Sequence, residues 1–171
     1  MNSLLAYEKA LYFTDWRDYW ICRLTGDQNY YLWKYQMYLR KEEAARTLLG
    51  KFWYRRKKNR LGAKLGFAIW AGSCGKGLRL WHPGCVIING FAKLGENCTL
   101  RGQNCIGTNS SDPHAVPKIG NGVDIGMGAS VLGDITIADG VTIGAGAVVV
   151  HSCLKPGTTL VGVPARPLKK A

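Results

Sequence analysis

The sequence predicts a mainly β fold, a solenoid of six-residue units that follows a short α-helical region. Between Ile88 and Val149, ten aliphatic residues recur at intervals of six positions, with one break in phase. The chain also contains 22 glycines, of which only two lie in the first 60 residues. Because glycine allows tight backbone turns, this distribution separates a turn-rich repeat region from a region of different character before it.

A period of six fits neither an α-helix nor one long strand. It is typical of a solenoid in which each unit forms one short strand and one turn, and only neighbouring coils touch. A second set of small or β-branched residues follows four positions after the aliphatic ones. We expect both sets to point inward and be buried, namely Ile88, Leu94, Leu100, Ile106, Ile119, Ile125, Val131, Ile137, Ile143 and Val149, with Ala92, Cys98, Val123, Ala129, Ile135, Val141 and Ala147.

The phase breaks between Ile106 and Ile119, which are 13 positions apart, one more than two repeats. Residues 107–118 are rich in turn formers and cannot continue the strand pattern. They predict a loop extruded from the solenoid, and loops on rigid scaffolds often carry function. A solvated loop without function is the alternative.

Residues 1–60 read as helical, with apolar side chains at three- and four-residue spacing. Asp15 and Thr25 are candidate N-caps, and Gly26 is a candidate helix stop. The many aromatic side chains of this region are interpreted as a helix–helix core, with ligand stacking as the alternative.

The chain carries 23 Lys and Arg against 11 Asp and Glu, a formal net charge of +12. This balance favours anionic partners such as nucleic acid, a membrane surface, an acidic polysaccharide or a phosphate-rich cofactor. Residues 52–60 combine three aromatic and five basic side chains. Such a run suits nucleic acid or peripheral contact with an anionic membrane. We favour a basic connector with its aromatic side chains anchored on the repeat region, and we expect no nucleic-acid partner.

The six cysteines match no disulfide scaffold or zinc-binding spacing. No secretory signal and no apolar stretch of about 18 residues is recognisable. We therefore expect free thiols, no bound metal and a cytoplasmic location.

Three segments carry a resemblance to a known family: GKGLRLWHPGCVIING, KIGNGVDIGMGASVLGDITIADGVTIGAGAVVV and VGVPAR. They resemble the hexapeptide-repeat acyltransferases, and within them the serine acetyltransferase-like proteins and the capsule polysaccharide O-acetyltransferases. The resemblance covers about residues 60–168. It implies a left-handed parallel β-helix over residues 61–171, with a loop at 107–118 and a C-terminal tail, behind a helical region at 1–60. It also implies acetyl-CoA as co-substrate and a homotrimer.

By the same resemblance, His82 is the catalytic base that removes the proton from an acceptor hydroxyl as the oxygen attacks the thioester. Imidazole suits this role because it titrates near neutrality. Acetyl-CoA is expected in a groove between adjacent subunits. The positions that correspond to its contacts are Gly107, Met127 and Ala145 for the pantetheine arm, and Lys155 and Arg166, with Lys169 and Lys170 nearby, for the phosphates.

The sequence departs from serine acetyltransferases where serine would be held. The position of the Asp that orients the histidine is Phe67, and the acidic residue before the histidine is replaced by Trp81. A sugar or polysaccharide hydroxyl is therefore the preferred acceptor, and the aromatic ring of Trp81 would stack against the sugar ring. Serine, or another small hydroxyl or amine, is the alternative acceptor. The candidate acceptor-binding residues are Trp81, Asn89, Asp112 and His114.

Two other functions compete. A zinc carbonic anhydrase would need three histidines with two of them close in sequence, whereas His82, His114 and His151 are 32 and 37 positions apart. A polyanion-binding scaffold would tolerate His82→Ala and would bind polyanions in a salt-sensitive manner.

Overall fold

Four helices form the N-terminal part of the protein in the computed structural model, which describes residues 1–168. They are α1 (Asn2–Ala10), α2 (Trp16–Thr25), α3 (Gln28–Ala44) and α4 (Leu48–Leu65). The last helix therefore ends five residues beyond the predicted limit of the helical region at residue 60.

The helix ends around α2 confirm two of three sequence predictions. Asp15 caps α2 by accepting a hydrogen bond from the Asp18 N–H, and Gly26 ends it in the left-handed conformation at φ 74°. Thr25 is not an N-cap: it is the last residue of α2, and its hydroxyl donates back to the Ile21 carbonyl. The cap of α3 is instead Asp27, whose carboxylate accepts from the Asn29 N–H.

The basic run at residues 52–60 is not a connector, because it lies within α4. Phe52 and Trp53 are exposed and are not anchored on the repeat region. That prediction was wrong because the run has helix-forming residues on both sides, which a reading of its charges alone ignores.

Short strands make up most of the remaining chain. They are β1 (Phe67–Ile69), β2 (Arg79–Leu80), β3 (Val86–Ile88), β4 (Lys93–Leu94), β5 (Thr99–Leu100), β6 (Cys105–Gly107), β7 (Lys118–Ile119), β8 (Asp124–Ile125), β9 (Ser130–Leu132), β10 (Thr136–Ile137), β11 (Thr142–Ile143), β12 (Val148–Val149), β13 (Thr159–Gly162) and β14 (Ala165–Pro167). Their pairings are parallel except for the hairpin of β13 and β14.

The strands form three sheets, and successive strands along the chain belong to these sheets in a repeating order. The sheet orders are β1-β3-β6-β9-β12, β10-β7-β4 and β14-β13-β11-β8-β5-β2. Ile88 pairs with Ile106, 18 positions on, so three six-residue units make one coil. The turns between sheets stack into three edges. The first edge joins the six-stranded to the five-stranded sheet, the second joins the five-stranded to the three-stranded sheet, and the third joins the three-stranded back to the six-stranded sheet.

The predicted core is confirmed. All ten aliphatic residues of the six-residue period are buried, and so are all seven residues four positions later, including a fully buried Cys98. Burying a Val, Leu or Ile side chain stabilises a fold by about 1.5–3 kcal/mol, so this column is the main source of stability for the repeat region.

The loop adds residues to one coil. Leu94 pairs with Ile119, 25 positions on, whereas an undisturbed coil takes 18. The interval from Ile106 to Ile119 is therefore one unit plus seven extra residues, not two units plus one. Since Gly107 belongs to β6 and Lys118 to β7, the loop itself spans residues 108–117.

Helices α1 and α3 attach to the first coil through a buried ion pair. The Arg40 guanidinium lies 2.9 Å from the Glu8 carboxylate and donates to the carbonyls of Cys74, at 2.8 Å, and Gly75. Glu8 in turn accepts from the Gly77 N–H at 2.8 Å. Buried backbone polar groups need hydrogen-bond partners. In later coils the preceding coil supplies them, and at the first coil these two side chains do so.

A second pair of polar side chains extends this attachment. The Tyr12 hydroxyl accepts from the Leu80 N–H at 3.0 Å and donates to Gln36 Oε1 at 2.7 Å. The Gln36 amide donates to the Leu78 carbonyl at 2.7 Å. Burial raises the pKa of Tyr12 well above its usual value, so its hydroxyl keeps the proton that this chain of hydrogen bonds uses.

Along residues 1–168, no helix combines the length and the apolar character needed to cross a lipid bilayer.

We expect Glu8→Gln to lower the free energy of unfolding by about 1–3 kcal/mol, because Arg40 loses its fully buried counter-ion and keeps only Glu43, at 2.9 Å, as an anionic partner. Urea unfolding followed by circular dichroism measures the change. Glu96→Gln is the matched control, since Glu96 pairs with Lys76 at 3.1 Å on the exposed surface. It should cost less than about 1 kcal/mol. Equal losses in the two variants would contradict a stabilising role for the buried pair.

Candidate active site

His82 lies on the first edge, two residues after the end of β2, and is exposed. Gly102 occupies the same place one coil further on. A Cβ atom at Gly102 would lie 3.5 Å from the His82 Cβ and 4.0 Å from the end of the Met127 side chain. Gly102 also has φ of 117°, which favours glycine. The missing side chain leaves room between His82 and Met127.

Trp81 borders His82, and two arginines border Trp81. The rings of Trp81 and His82 are 6.3 Å apart. The guanidinium groups of Arg79 and Arg101 lie 4.2 and 5.2 Å from the centre of the Trp81 ring, within the range of cation–π attraction. Arg101 is held by two hydrogen bonds to Asp124, at 2.9 and 2.6 Å. The Trp81 ring beside His82 is thus flanked by the Arg79 guanidinium and by the Arg101–Asp124 ion pair, and sequence reasoning missed both arginines.

In the coils after His82, small residues occupy much of the first edge, and their backbone groups connect one coil to the next. The Gly128 N–H donates to the Gly102 carbonyl, and the Gly146 N–H donates to the Met127 carbonyl at 2.8 Å. Ala145 is exposed beside them, and a Cβ added at Gly146 would meet nothing within 4 Å. Of the predicted residues, the structure therefore brings His82, Met127 and Ala145 together on one edge.

Asn104 fixes the turn beneath His82. It is fully buried, accepts from the Gly102 N–H at 3.0 Å and donates to the Gly126 carbonyl at 2.7 Å. It also lies 3.3 Å from the Ala129 carbonyl. This residue joins two successive coils at the first edge. The sequence signal that could have found it is an asparagine two positions after a glycine within a turn.

Asn89, Gly107, Asp112 and His114 gather on the second edge. A Cβ atom at Gly107 would lie 3.7 Å from the Asn89 Cβ. The Asp112 carboxylate accepts from the backbone N–H of His114 at 2.8 Å, and the His114 ring packs at a 47° tilt against the Phe91 ring, with centres 4.1 Å apart. A cleft of about 660 Å³ lies beside them, lined in part by Asn89, Phe91 and Gly107. Phe91 was not predicted.

The five-stranded sheet separates these two groups within one chain, so His82 and His114 lie on different edges. Lys155 falls in the turn at the third edge, and Arg166 lies on β14 opposite Val161. Both residues line a cavity of about 750 Å³ at the last coil. Lys169 and Lys170 lie outside the described residues.

Phe67 occupies a core position. It is buried in β1, and its ring packs edge-on against Tyr35 with centres 5.1 Å apart. It therefore contributes to the attachment of the helices and offers no polar atom to His82.

No metal-binding cluster is present in the part of the chain that the structure describes, where no three or more His, Cys, Asp or Glu side chains are grouped to hold an ion. Within this part of a single chain, His82, His114 and His151 therefore form no three-ligand group.

The repeats and the fold place the protein beside a known class of transferases. Residues 117–151 match the family described as bacterial transferase hexapeptide (six repeats), which covers only the middle coils. The predicted resemblance to hexapeptide-repeat transferases is therefore confirmed for this segment.

Individual relatives narrow the comparison. The chain is 38% identical over 82 residues to WcaB of Escherichia coli strain K12, which is described as a putative colanic acid biosynthesis acetyltransferase. The match covers 48% of this chain and 51% of WcaB. It is 38% identical over 97 residues to the serine acetyltransferase of the same strain, covering 56% of this chain and 35% of that protein. The matched segment thus spans about half of one relative and about a third of the other.

The fold extends the likeness over the helices. A crystal structure of serine acetyltransferase in complex with coenzyme A, from Brucella abortus strain S19, superposes with a TM-score of 0.77. It covers 98% of this chain and 67% of that chain at 24% identity. This likeness establishes a shared arrangement of the helices and the repeat region.

We expect Asn104→Ala to lower the free energy of unfolding by about 1–3 kcal/mol, since it removes buried hydrogen bonds and leaves the Gly102 N–H without its acceptor. Thermal and urea unfolding measure the loss. The control is Asn59→Ala on the exposed side of α4, which should be neutral or slightly stabilising because alanine favours helix. A neutral Asn104→Ala would show that the turn beneath His82 does not depend on this side chain.

Proposed function

We propose that the protein is an acetyl-CoA-dependent O-acetyltransferase that transfers an acetyl group to a hydroxyl of a sugar or polysaccharide precursor, with His82 as general base. The observation that carries the proposal is the exposed His82 at the head of an open edge lined by Gly102, Met127 and Ala145. The similarity to named acetyltransferases on the same fold supports it.

The residues of the first edge suit acetyl-CoA. Ala145 and Gly146 leave a strip of exposed backbone along which a slender pantetheine arm can lie. The exposed Met127 side chain borders this strip. Arg166, on β14 at the end of the six-stranded sheet, would hold a phosphate group, whereas Lys155 lies on the third edge, away from this strip. Acetyl-CoA would supply an acetyl group as an activated thioester.

His82 would act on the acceptor. One imidazole nitrogen takes the proton of the acceptor hydroxyl, whose oxygen then forms the ester bond as the CoA thiolate leaves. The resulting imidazolium returns its proton to that thiolate, which balances the reaction without a covalent intermediate on the protein. Positioned general bases typically contribute about 10²–10⁴-fold in rate.

A saccharide acceptor fits the surroundings of His82 better than serine does. The ammonium group of serine would need a carboxylate, but Asp124, the carboxylate described beside Trp81 and its two flanking arginines, is already paired with Arg101 at 2.6 Å. An indole provides an apolar face for a sugar ring, and the two guanidinium groups provide hydrogen-bond donors for hydroxyl or acidic groups.

Serine O-acetylation is the second candidate. It is favoured by the 38% identity to a serine acetyltransferase and by the shared fold. In that case the acceptor site would use groups other than those at positions 67 and 81.

The assembly is part of the proposal. We infer a left-handed parallel β-helix that forms a cytoplasmic homotrimer, in which the first edge of one subunit faces the second edge of the next. The support is the division of the candidate residues: His82, Met127 and Ala145 lie on one edge, and Asn89 and His114 lie across the five-stranded sheet from them. A trimer would combine the two groups in one groove.

The first test measures acetyl-CoA-dependent release of free CoA with L-serine as the only acceptor, and then with a panel of mono- and oligosaccharides. We expect background release with serine and turnover with a saccharide. His82→Ala should lower kcat/KM about 10²–10⁴-fold while binding of acetyl-CoA stays unchanged. Rapid, histidine-dependent release with serine would instead establish the second candidate.

Because His151 lines the same cavity as Lys155 and Arg166, the control variant is Asn59→Ala, an exposed change on α4 outside the candidate site. It should retain full turnover. Undiminished turnover in His82→Ala would rule out the general-base role. The absence of acetyl-CoA binding by the wild-type protein would rule out acetyl transfer altogether.

A further inference from the structure

The outward side of α4 begins with a cluster of exposed apolar side chains. Leu48 is 86% exposed, Leu49 82%, Phe52 63% and Trp53 54%. Residues spaced by four positions share one face of a helix, so these four form a contiguous patch, here named the α4 apolar patch. Large apolar side chains concentrated in this way mark an interaction surface more often than isolated ones do.

A basic segment continues the same face toward the C-terminal end of α4. Arg56 and Arg60 follow Phe52 at steps of four, and Lys57 follows Trp53. The helix contains seven Lys and Arg residues and no Asp or Glu, as its sequence LLGKFWYRRKKNRLGAKL shows.

The inward side of α4 accounts for only two of these charges. Lys58 is buried, donates to the Ile69 carbonyl and pairs with Glu42 at 2.9 Å. Arg55 pairs with the same carboxylate at 2.8 Å. Arg56 and Arg60 are exposed on the outward side, and Lys57 lies over the Trp53 ring at 4.6 Å. The outward face is therefore available for an anionic partner.

We propose that α4 docks flat on an anionic lipid bilayer, with the α4 apolar patch inserted among the acyl chains and the basic segment on the headgroups. A bilayer surface offers both an apolar layer and a negative potential, which matches the two halves of this face. Nucleic acid offers no layer for Leu48 and Leu49. The helix is 18 residues long and strongly charged, so it lies on the membrane and does not cross it.

Vesicle flotation with the full chain tests the proposal. Vesicles of phosphatidylcholine that contain about one third phosphatidylglycerol should carry the protein, and vesicles of phosphatidylcholine alone should not. The double variant Leu49→Ser/Phe52→Ser removes apolar contacts, and Arg56→Glu/Arg60→Glu reverses charge. Each should weaken binding tenfold or more. Circular dichroism spectra should stay unchanged, because all four side chains are exposed.

The control variant is Leu154→Ser, since Leu154 is 71% exposed but lies at the last coil, away from α4. It should bind like the wild type. Failure of the wild type to bind anionic vesicles, or equal binding of the Leu49→Ser/Phe52→Ser variant, would overturn the proposal. Light scattering provides a second test. If the Leu49→Ser/Phe52→Ser variant forms a smaller assembly than the wild type, a second copy of the chain covers the α4 apolar patch, and the proposal is overturned.

Discussion

Coils that stack only on their neighbours leave the first and last coils incomplete, and this constraint shapes the whole molecule. At the first coil, Arg40 and Glu8 supply partners for the peptide groups of Cys74, Gly75 and Gly77. A buried ion pair gains little by itself because desolvation offsets its attraction. It stabilises here because both side chains also satisfy backbone groups. The helices therefore cover the end of the repeat region at the first coil, and the hairpin of β13 and β14 lies at the opposite end.

The same repetition decides where a functional side chain can lie. One coil takes 18 residues and three edges, so the place of a residue within its six-residue unit selects its edge. His82, Met127 and Ala145 belong to different coils and still share the first edge, because their units are equivalent. His114 belongs to the loop, which adds seven residues on the second edge without disturbing the pairing of Leu94 with Ile119. The loop can thus change the chemistry of a groove while the core stays intact.

The period of six predicted the buried column and the site of the loop, because each inward position carries an aliphatic side chain. It did not predict the first coil. Ile69, Cys74, Leu80 and Ile88 are spaced by five, six and eight positions, although β1 pairs with β3 and Leu80 with Leu100 as in later coils. The attachment of the helices to the first coil could not be predicted from the sequence either, since Gln36 and Arg40 form hydrogen bonds with residues about 35–42 positions away. Such contacts depend on the docked position of α3, which no local pattern encodes. The candidate residues could be read from motifs, but their division between edges follows from sheet topology.

Position 67 shows how the attachment of the helices limits which side chains the first coil can carry. Helix α4 packs so closely on β1 that a Cβ at Gly62 would lie 2.6 Å from the Phe67 carbonyl oxygen. The Phe67 ring fills the remaining space against Tyr35. An aspartate there would place a carboxylate in an apolar contact beneath α4, where an unpaired charge is costly. Restoring the acidic group typical of serine acetyltransferases would therefore require a different attachment of α4.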